Sequence, residues 1–148
     1  MRLFLLILQL KILHAGYVSK FPLVSRLKFA SQKEIPLFMR RINEIFYSLQ
    51  GEGYHTGIPA VFVRFSGCNL RCPFCDTQHE EGTLMSDEDI VMEVAKYSTQ
   101  VVILTGGEPG LWIDEKLVDA LHHEGKYVCI ETNGTCLLPE NIDWVTCS

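Results

Sequence analysis

The sequence lacks any apolar run long enough to cross a bilayer. Its N-terminal stretch at 3–8 is broken by Gln9 and Lys11, far short of the ~20 residues a spanning helix needs. It also lacks a basic balance: 13 Lys+Arg against 18 Asp+Glu give −5, a poor charge for non-specific nucleic-acid binding. Glycine (11) and proline (6) stay at ordinary levels, which excludes collagen and low-complexity fibres. Charged residues are only 21% and hydrophobic residues 47%, which excludes a disordered chain. What remains is 148 residues of ordinary globular composition, enough for one domain.

The average charge conceals a split. Residues 1–38 carry six bases and one acid, Glu34, whereas 39–148 carry seven bases and seventeen acids. Such a shift marks a boundary, here near Met39. The opening segment resembles an export signal only weakly, because no clear small-x-small cleavage site follows the apolar run. The reading adopted is a mis-assigned start, with 1–38 an extension and 39–148 the domain. An amphipathic extension and a true export signal are the alternatives.

From Arg41 onward the pattern is organised. Ile42, Ile45 and Phe46 alternate with polar residues, and SLQGEGYHTG (48–57) is a Gly-rich loop. AVFVRF (60–65) is β-branched and aromatic, which predicts a strand. GCNLRCPFCDT (67–77) is punctuated as a loop. Ser86-x-x-Asp89 predicts a capped helix start, with Asp87, Glu88 and Asp89 at the positive end of the dipole. VVILT (101–105) reads as a buried parallel strand. A second helix is expected over 114–124, stopped by Gly125, then strands at 127–132 and 142–148. Strands alternating with helices imply an α/β fold with parallel strands, and ligands at the carboxyl ends of the strands. The loops 67–77, 105–110 and 131–135 should therefore converge. Ser148 leaves the last strand without a covering helix, so the sequence is expected to be truncated at its C-terminus.

Six cysteines occur, three of them as Cys68-x3-Cys72-x2-Cys75. Cys129, inside an apolar strand, reads as a small core residue, and Cys136 and Cys147 receive no role. Three thiolates on one loop can hold an iron–sulfur cube with one iron left open. With His79 as fourth ligand they can instead hold a structural zinc. The triplet alone leaves both open.

The context narrows this. Cys68, Cys72, Phe74 and Cys75 after one strand, and TGGEP (105–109) after the next, resemble the radical S-adenosylmethionine superfamily. NEIFYSLQGEG (43–53), GIPAVFVRFSGCNLRCPFCDTQHE (57–80), ETNGT (131–135) and DWVTCS (143–148) extend the resemblance to the 7-carboxy-7-deazaguanine synthase family. The similarity covers 39–148 and none of 1–38. It implies an incomplete radical (β/α) barrel. The implied activity is a carbon–nitrogen lyase converting 6-carboxy-5,6,7,8-tetrahydropterin to 7-carboxy-7-deazaguanine plus ammonia, a step of queuosine biosynthesis.

The resemblance also assigns residues. Cys68, Cys72 and Cys75 would hold a [4Fe-4S] cluster whose open iron binds S-adenosylmethionine, the source of a radical that abstracts a substrate hydrogen. Thr77 would bind Mg2+, a hard cation suited to oxygen. Leu49, Gln50, Gly51, Glu52, Arg64 and Thr105 would bind the pterin, Arg64 gripping its carboxylate. Phe74, Gly107, Glu108, Glu131, Asn133 and Ser148 would contact S-adenosylmethionine. Implied partners are an electron donor such as flavodoxin or ferredoxin and a second copy of the chain, with no nucleic acid and no membrane. An oxygen-sensitive cluster suits the reducing cytoplasm. His55, His79, His122 and His123 read as solvated, and Trp112 and Trp144 as packing. The competing functions are a glycyl-radical activase of the same superfamily and a non-enzymatic zinc module.

Overall fold

The computed structural model describes residues 39–148. The readings of 1–38 as mis-assigned start, amphipathic extension or export signal lie outside the described residues. The described part is a six-stranded mixed sheet with two helices on one face. The elements in order are β1 (Met39–Leu49), β2 (Pro59–Phe65), β3 (Thr83–Ser86), α1 (Asp87–Ala95), β4 (Val101–Gly106), α2 (Glu115–His123), β5 (Tyr127–Thr132) and β6 (Trp144–Cys147). A short 3-10 turn, Pro109–Leu111, follows β4. Across the sheet the strands run β3-β1-β2-β4-β5-β6.

The pairs β2–β4, β4–β5 and β5–β6 are parallel, as the strand–helix alternation predicts. Two strands go beyond that reading: β1 is antiparallel to β2, and β3 is antiparallel to β1. The alternation in β1 is interrupted by a bulge between Ile42 and Glu44, which blurs its period-2 signature. β3 is only four residues long with its first two exposed, so it carries almost no pattern.

β2 and β4 are buried on both faces, which explains their continuous apolar runs. On the helix side, Val61, Val63, Phe65, Val102, Leu104, Val128 and Ile130 pack against Ile90 and Val94 of α1 and Leu117, Val118 and Leu121 of α2. Each such aliphatic side chain contributes roughly 1.5–3 kcal/mol by leaving water. On the opposite face Ala60, Phe62, Ile103 and Cys129 form a second, smaller core with Phe46, Val101 and Trp144. The rings of Phe46 and Phe62 stack at 5.0 Å. Burial pushes the Cys129 thiol up to about 11, helped by nearby Asp143 and Glu131, so the core reading of this cysteine fits.

Both helices begin as the sequence predicts. Ser86 Oγ accepts from Asp89 N at 3.1 Å, and Asp89 returns the bond to Ser86 N at 3.3 Å. Asp114 caps α2 by accepting from Leu117 N at 3.1 Å, and Gly125 ends it at φ +70°. Buried Arg40 of β1 ties the two starts together. It donates to Asp87 at 2.6 and 3.0 Å, to Asp114 at 2.8 Å and to the Trp112 carbonyl. Burial opposes its charge, but the bonds and charges of Asp87 and Asp114 outweigh burial and hold its pKa above the ordinary value. Among the described residues no helix is long and apolar enough to cross a membrane.

Candidate active site

The three loops predicted to converge do so at the carboxyl ends of β2, β4 and β5. The cysteine loop leaves β2 and is closed at its base. Gly67 N donates to the His79 carbonyl at 2.7 Å, and the Ser66 hydroxyl donates to the Glu81 carbonyl. Asn43, the bulge residue of β1, donates to the carbonyls of Gln78 and Glu81 at 3.2 and 3.1 Å. The bulge thus aims a side chain at the stem of the loop.

Cys68, Cys72 and Cys75 line one cavity of about 530 Å3, together with Arg41, Arg71, Thr77 and His79. Among the described residues, which include all six cysteines, every thiol is free. No three His, Cys, Asp or Glu side chains among them are gathered as ligands of a single ion. His79 lines the same cavity as the three cysteines, so that lining by itself leaves the zinc and the cluster readings both open. The donor set fits a cluster better: three thiols around one cavity, two arginines beside it to offset negative charge, and Leu70 N donating to Cys68 Sγ at 3.4 Å. Phe74 stands on the same loop, 86% exposed.

The glycines of TGGEP face the protein itself. A Cβ on Gly107 would lie 2.1 Å from the Gly67 carbonyl oxygen and 3.1 Å from Cys68 Cβ. Gly106 sits at φ +127°, where a Cβ would meet Phe65 backbone at 2.2 Å. Glycine here lets the end of β4 press against the start of the cysteine loop, sealed by Glu108 N donating to Gly67 O at 2.9 Å. The resemblance places Glu108 at S-adenosylmethionine; its side chain is fully buried among protein donors. It accepts from Gly110 N, Thr132 Oγ1 and Asn133 N, each at 2.8 Å. The carboxylate fastens the β4 loop to the β5 loop, with no oxygen turned to solvent.

A second cavity, of about 260 Å3, lies on the sheet face away from the helices. Its lining includes Leu49, Gln50, Gly51, Glu52, Arg64 and Thr105, all six residues that the resemblance gave to the pterin. Glu131, expected at the cofactor, lines it too. Gln50 Nε2 donates to Glu131 Oε1 at 2.8 Å, and Thr105 Oγ1 donates to Glu131 Oε2 at 2.7 Å. The floor is Phe46 and Phe62. The Arg64 guanidinium lies 5.6 Å from the Phe46 ring centroid and donates to Glu44 at 2.8 Å. Glu44 in turn lines a third, acidic cavity of about 830 Å3 with Thr77, His79, Glu80 and Glu81. Thr77 is shared between this cavity and that of the cysteines.

The loop at 50–58 reaches across the sheet to build the second cavity. Tyr54 stacks on Trp144 at 4.9 Å, and the His55 ring meets Trp144 and Tyr127 edge-on at 5.1 and 5.9 Å. His55 is thus packed among aromatics, with neither ring nitrogen hydrogen-bonded, and not solvated as its sequence context suggested. Asn133 meets the cysteine loop rather than the second cavity, and Ser148 N continues the β6 ladder to Thr132 O at 3.0 Å.

Sequence reasoning missed Asn43, Glu44, Phe46, Asn69 and Thr135. Phe46 and Glu44 were within reach, because each stands two residues from the next on one face of β1. Asn69 and Thr135 stand inside the blocks 57–80 and 131–135, but no local pattern pairs them, since they lie 66 positions apart.

The comparisons agree with this geometry. The Radical SAM superfamily matches residues 62–145. Over 110 residues the chain is 76% identical to the 7-carboxy-7-deazaguanine synthase of Bacteroides thetaiotaomicron, covering 74% of this chain and 60% of that protein. Over 109 residues it is 47% identical to the synthase of Neisseria meningitidis, covering 73% and 51%. The crystal structure of QueE from Escherichia coli superposes with a TM-score of 0.69 at 34% identity, covering 74% of this chain and 59% of that one. The chain thus spans between half and three fifths of the length of these relatives. A superfamily match over more than half the chain, its three cysteines around one cavity and its TGG turn pressed against them lead to one assignment: the chain belongs to the radical S-adenosylmethionine superfamily.

Proposed function

We propose that the chain carries the cluster site and the substrate site of a lyase that turns 6-carboxy-5,6,7,8-tetrahydropterin into 7-carboxy-7-deazaguanine and ammonia. One observation carries the reading. Residues from three separate stretches of sequence, 49–52, 64 and 105, line a single cavity. A glycyl-radical activase has no need of that cavity.

Cys68, Cys72 and Cys75 would hold the [4Fe-4S] cluster. With S-adenosylmethionine bound, the cluster supplies the radical chemistry; the protein orients the reactants and shields them. The remaining roles belong to side chains of this chain. Arg64 is held by Glu44 and Phe46 and offers a guanidinium to the substrate carboxylate. Gln50 and Thr105, both bonded to Glu131, present polar groups to the ring edge of the pterin. Thr77, with a hydroxyl between two cavities, is the proposed oxygen ligand for Mg2+. A low-potential electron donor and a second copy of the chain are the proposed partners, in a reducing cytoplasm.

The test is anaerobic reconstitution of the full chain with iron, sulfide, S-adenosylmethionine, Mg2+ and dithionite. Binding of the carboxytetrahydropterin is measured by calorimetry and product by mass spectrometry. Binding that Arg64→Ala weakens about tenfold or more supports the reading. A reconstituted chain that neither binds the pterin nor forms product overturns it.

A further inference from the structure

We infer that Asn133 is a positioning residue for the iron–sulfur cluster: its side-chain N–H donates to the Cys68 sulfur and makes the cluster easier to reduce. The inference rests on the reading that Cys68, Cys72 and Cys75 hold the cluster, and is independent of the substrate.

Asn133 Nδ2 lies 3.9 Å from Cys68 Sγ, within range of an N–H···S bond. The orientation of the amide is dictated by its other partners. Asn133 Oδ1 accepts from Thr135 N at 3.0 Å and from Thr135 Oγ1 at 2.6 Å. A backbone N–H can only donate, so the atom facing it must be the carbonyl oxygen. The NH2 is thereby turned toward Cys68 and toward Asn69 Oδ1, 3.1 Å away. Asn69 Nδ2 donates onward to Thr135 Oγ1 at 2.7 Å, closing a ring of three side chains. The Asn133 backbone is anchored as well, through its N–H to Glu108 Oε2 at 2.8 Å.

The donor is thus held in place by the protein before any cluster is bound. Leu70 N approaches the same sulfur at 3.4 Å, giving Cys68 two donors. The electron added on reduction makes the cluster more negative, and part of that charge resides on the ligand sulfurs. An N–H aimed at a sulfur stabilises the reduced form more than the oxidised form, which raises the reduction potential. Asn133 therefore acts on the cluster through Cys68.

The experiment is a potentiometric titration of the reconstituted full chain without S-adenosylmethionine, followed by electron paramagnetic resonance. Consider the potential at which the unsubstituted cluster is half reduced. There the ratio of reduced to oxidised cluster in Asn133→Ala is expected to fall about fivefold or more. Asn133→Asp keeps the size and the Thr135 bonds but sets a carboxylate against the thiolate, so it falls further. The Fe–S(Cys) stretches in resonance Raman shift in both. Asn69→Ala leaves the Asn133 donor clamped by Thr135 and stays within about twofold of the unsubstituted chain.

Four results overturn the inference. One is a ratio within about twofold in both Asn133 variants with full iron content. Another is Asn69→Ala behaving like Asn133→Ala, which makes the ring and not the donor responsible. A third is folded Asn133 variants that hold no iron, which gives the residue a structural role. The last is an unsubstituted chain that forms no cluster, which removes the cluster reading itself and is told apart by its lack of colour.

Discussion

Gln50 and Glu131 are 81 positions apart in sequence and 2.8 Å apart in space, joined by a hydrogen bond from the amide to the carboxylate. The same carboxylate accepts from Thr105 on the neighbouring strand at 2.7 Å. This pair of bonds fastens the loop at 50–58 over the carboxyl end of β4 and β5. It also fixes which groups the second cavity offers: an amide and a hydroxyl whose directions are set before any ligand arrives.

Glu131→Ala is therefore expected to weaken pterin binding about tenfold, through loss of that preorganisation. It should also speed proteolytic nicking within 50–58. Calorimetry and limited proteolysis check the two effects. Unchanged affinity together with unchanged nicking removes Glu131 from this role.

Glu108 is fully buried and accepts from three donors on two loops. Glu108→Ala leaves all three donors unsatisfied and is expected to cost about 3 kcal/mol of stability in urea denaturation. Glu108→Gln sets an NH2 against donors and should cost about half as much. A loss below about 1 kcal/mol for the alanine variant would show that the loops hold without it.

Gly107→Ala places a methyl 2.1 Å from a backbone oxygen of the cysteine loop, an atom that cannot swing aside. The loop must shift, so iron uptake on reconstitution is expected to fall several-fold. Gly51→Ala has open space around its Cβ and should leave iron uptake unchanged. Iron and sulfide assays on the two variants decide, and equal uptake sinks the argument.

The Cys129 thiol titrates near 11 in the folded chain against 9.0 ordinarily, raised first by burial and then by Asp143 and Glu131. The folded state holds the proton more tightly than the unfolded one. Its contribution to stability is therefore complete below pH 9 and is lost as pH rises toward 11. The melting temperature of the native chain should drop between pH 9 and 11, by roughly 5 °C more than that of Cys129→Ala. Parallel pH profiles for the two chains would exclude the thiol as the source.

Local pattern was enough for much of the fold. The capping box at Ser86 and Asp89, the stop at Gly125 and the apolar runs of β2, β4 and β5 are short-range features, and each formed as its sequence predicts. β1 and β3 escaped because a bulge at Asn43 shifts the alternation of one and the other spans only four residues. In the site, the cysteine triplet and the LQGEG block were legible as motifs.

The sequence by itself determined the parallel α/β frame, the cysteine loop and the convergence of three loops, because these follow from periodicity and from the direction of crossover connections. Only the tertiary structure decided what individual polar groups do. It made the Glu108 carboxylate a latch between loops, and set Glu131 in the cavity with Gln50 and Thr105. It also packed His55 among Tyr54, Tyr127 and Trp144 and set Asn133 against Cys68. The reason is physical: a hydrogen bond depends on angles and tenths of an ångström between chain segments that fold together from far apart, and no local pattern encodes that distance.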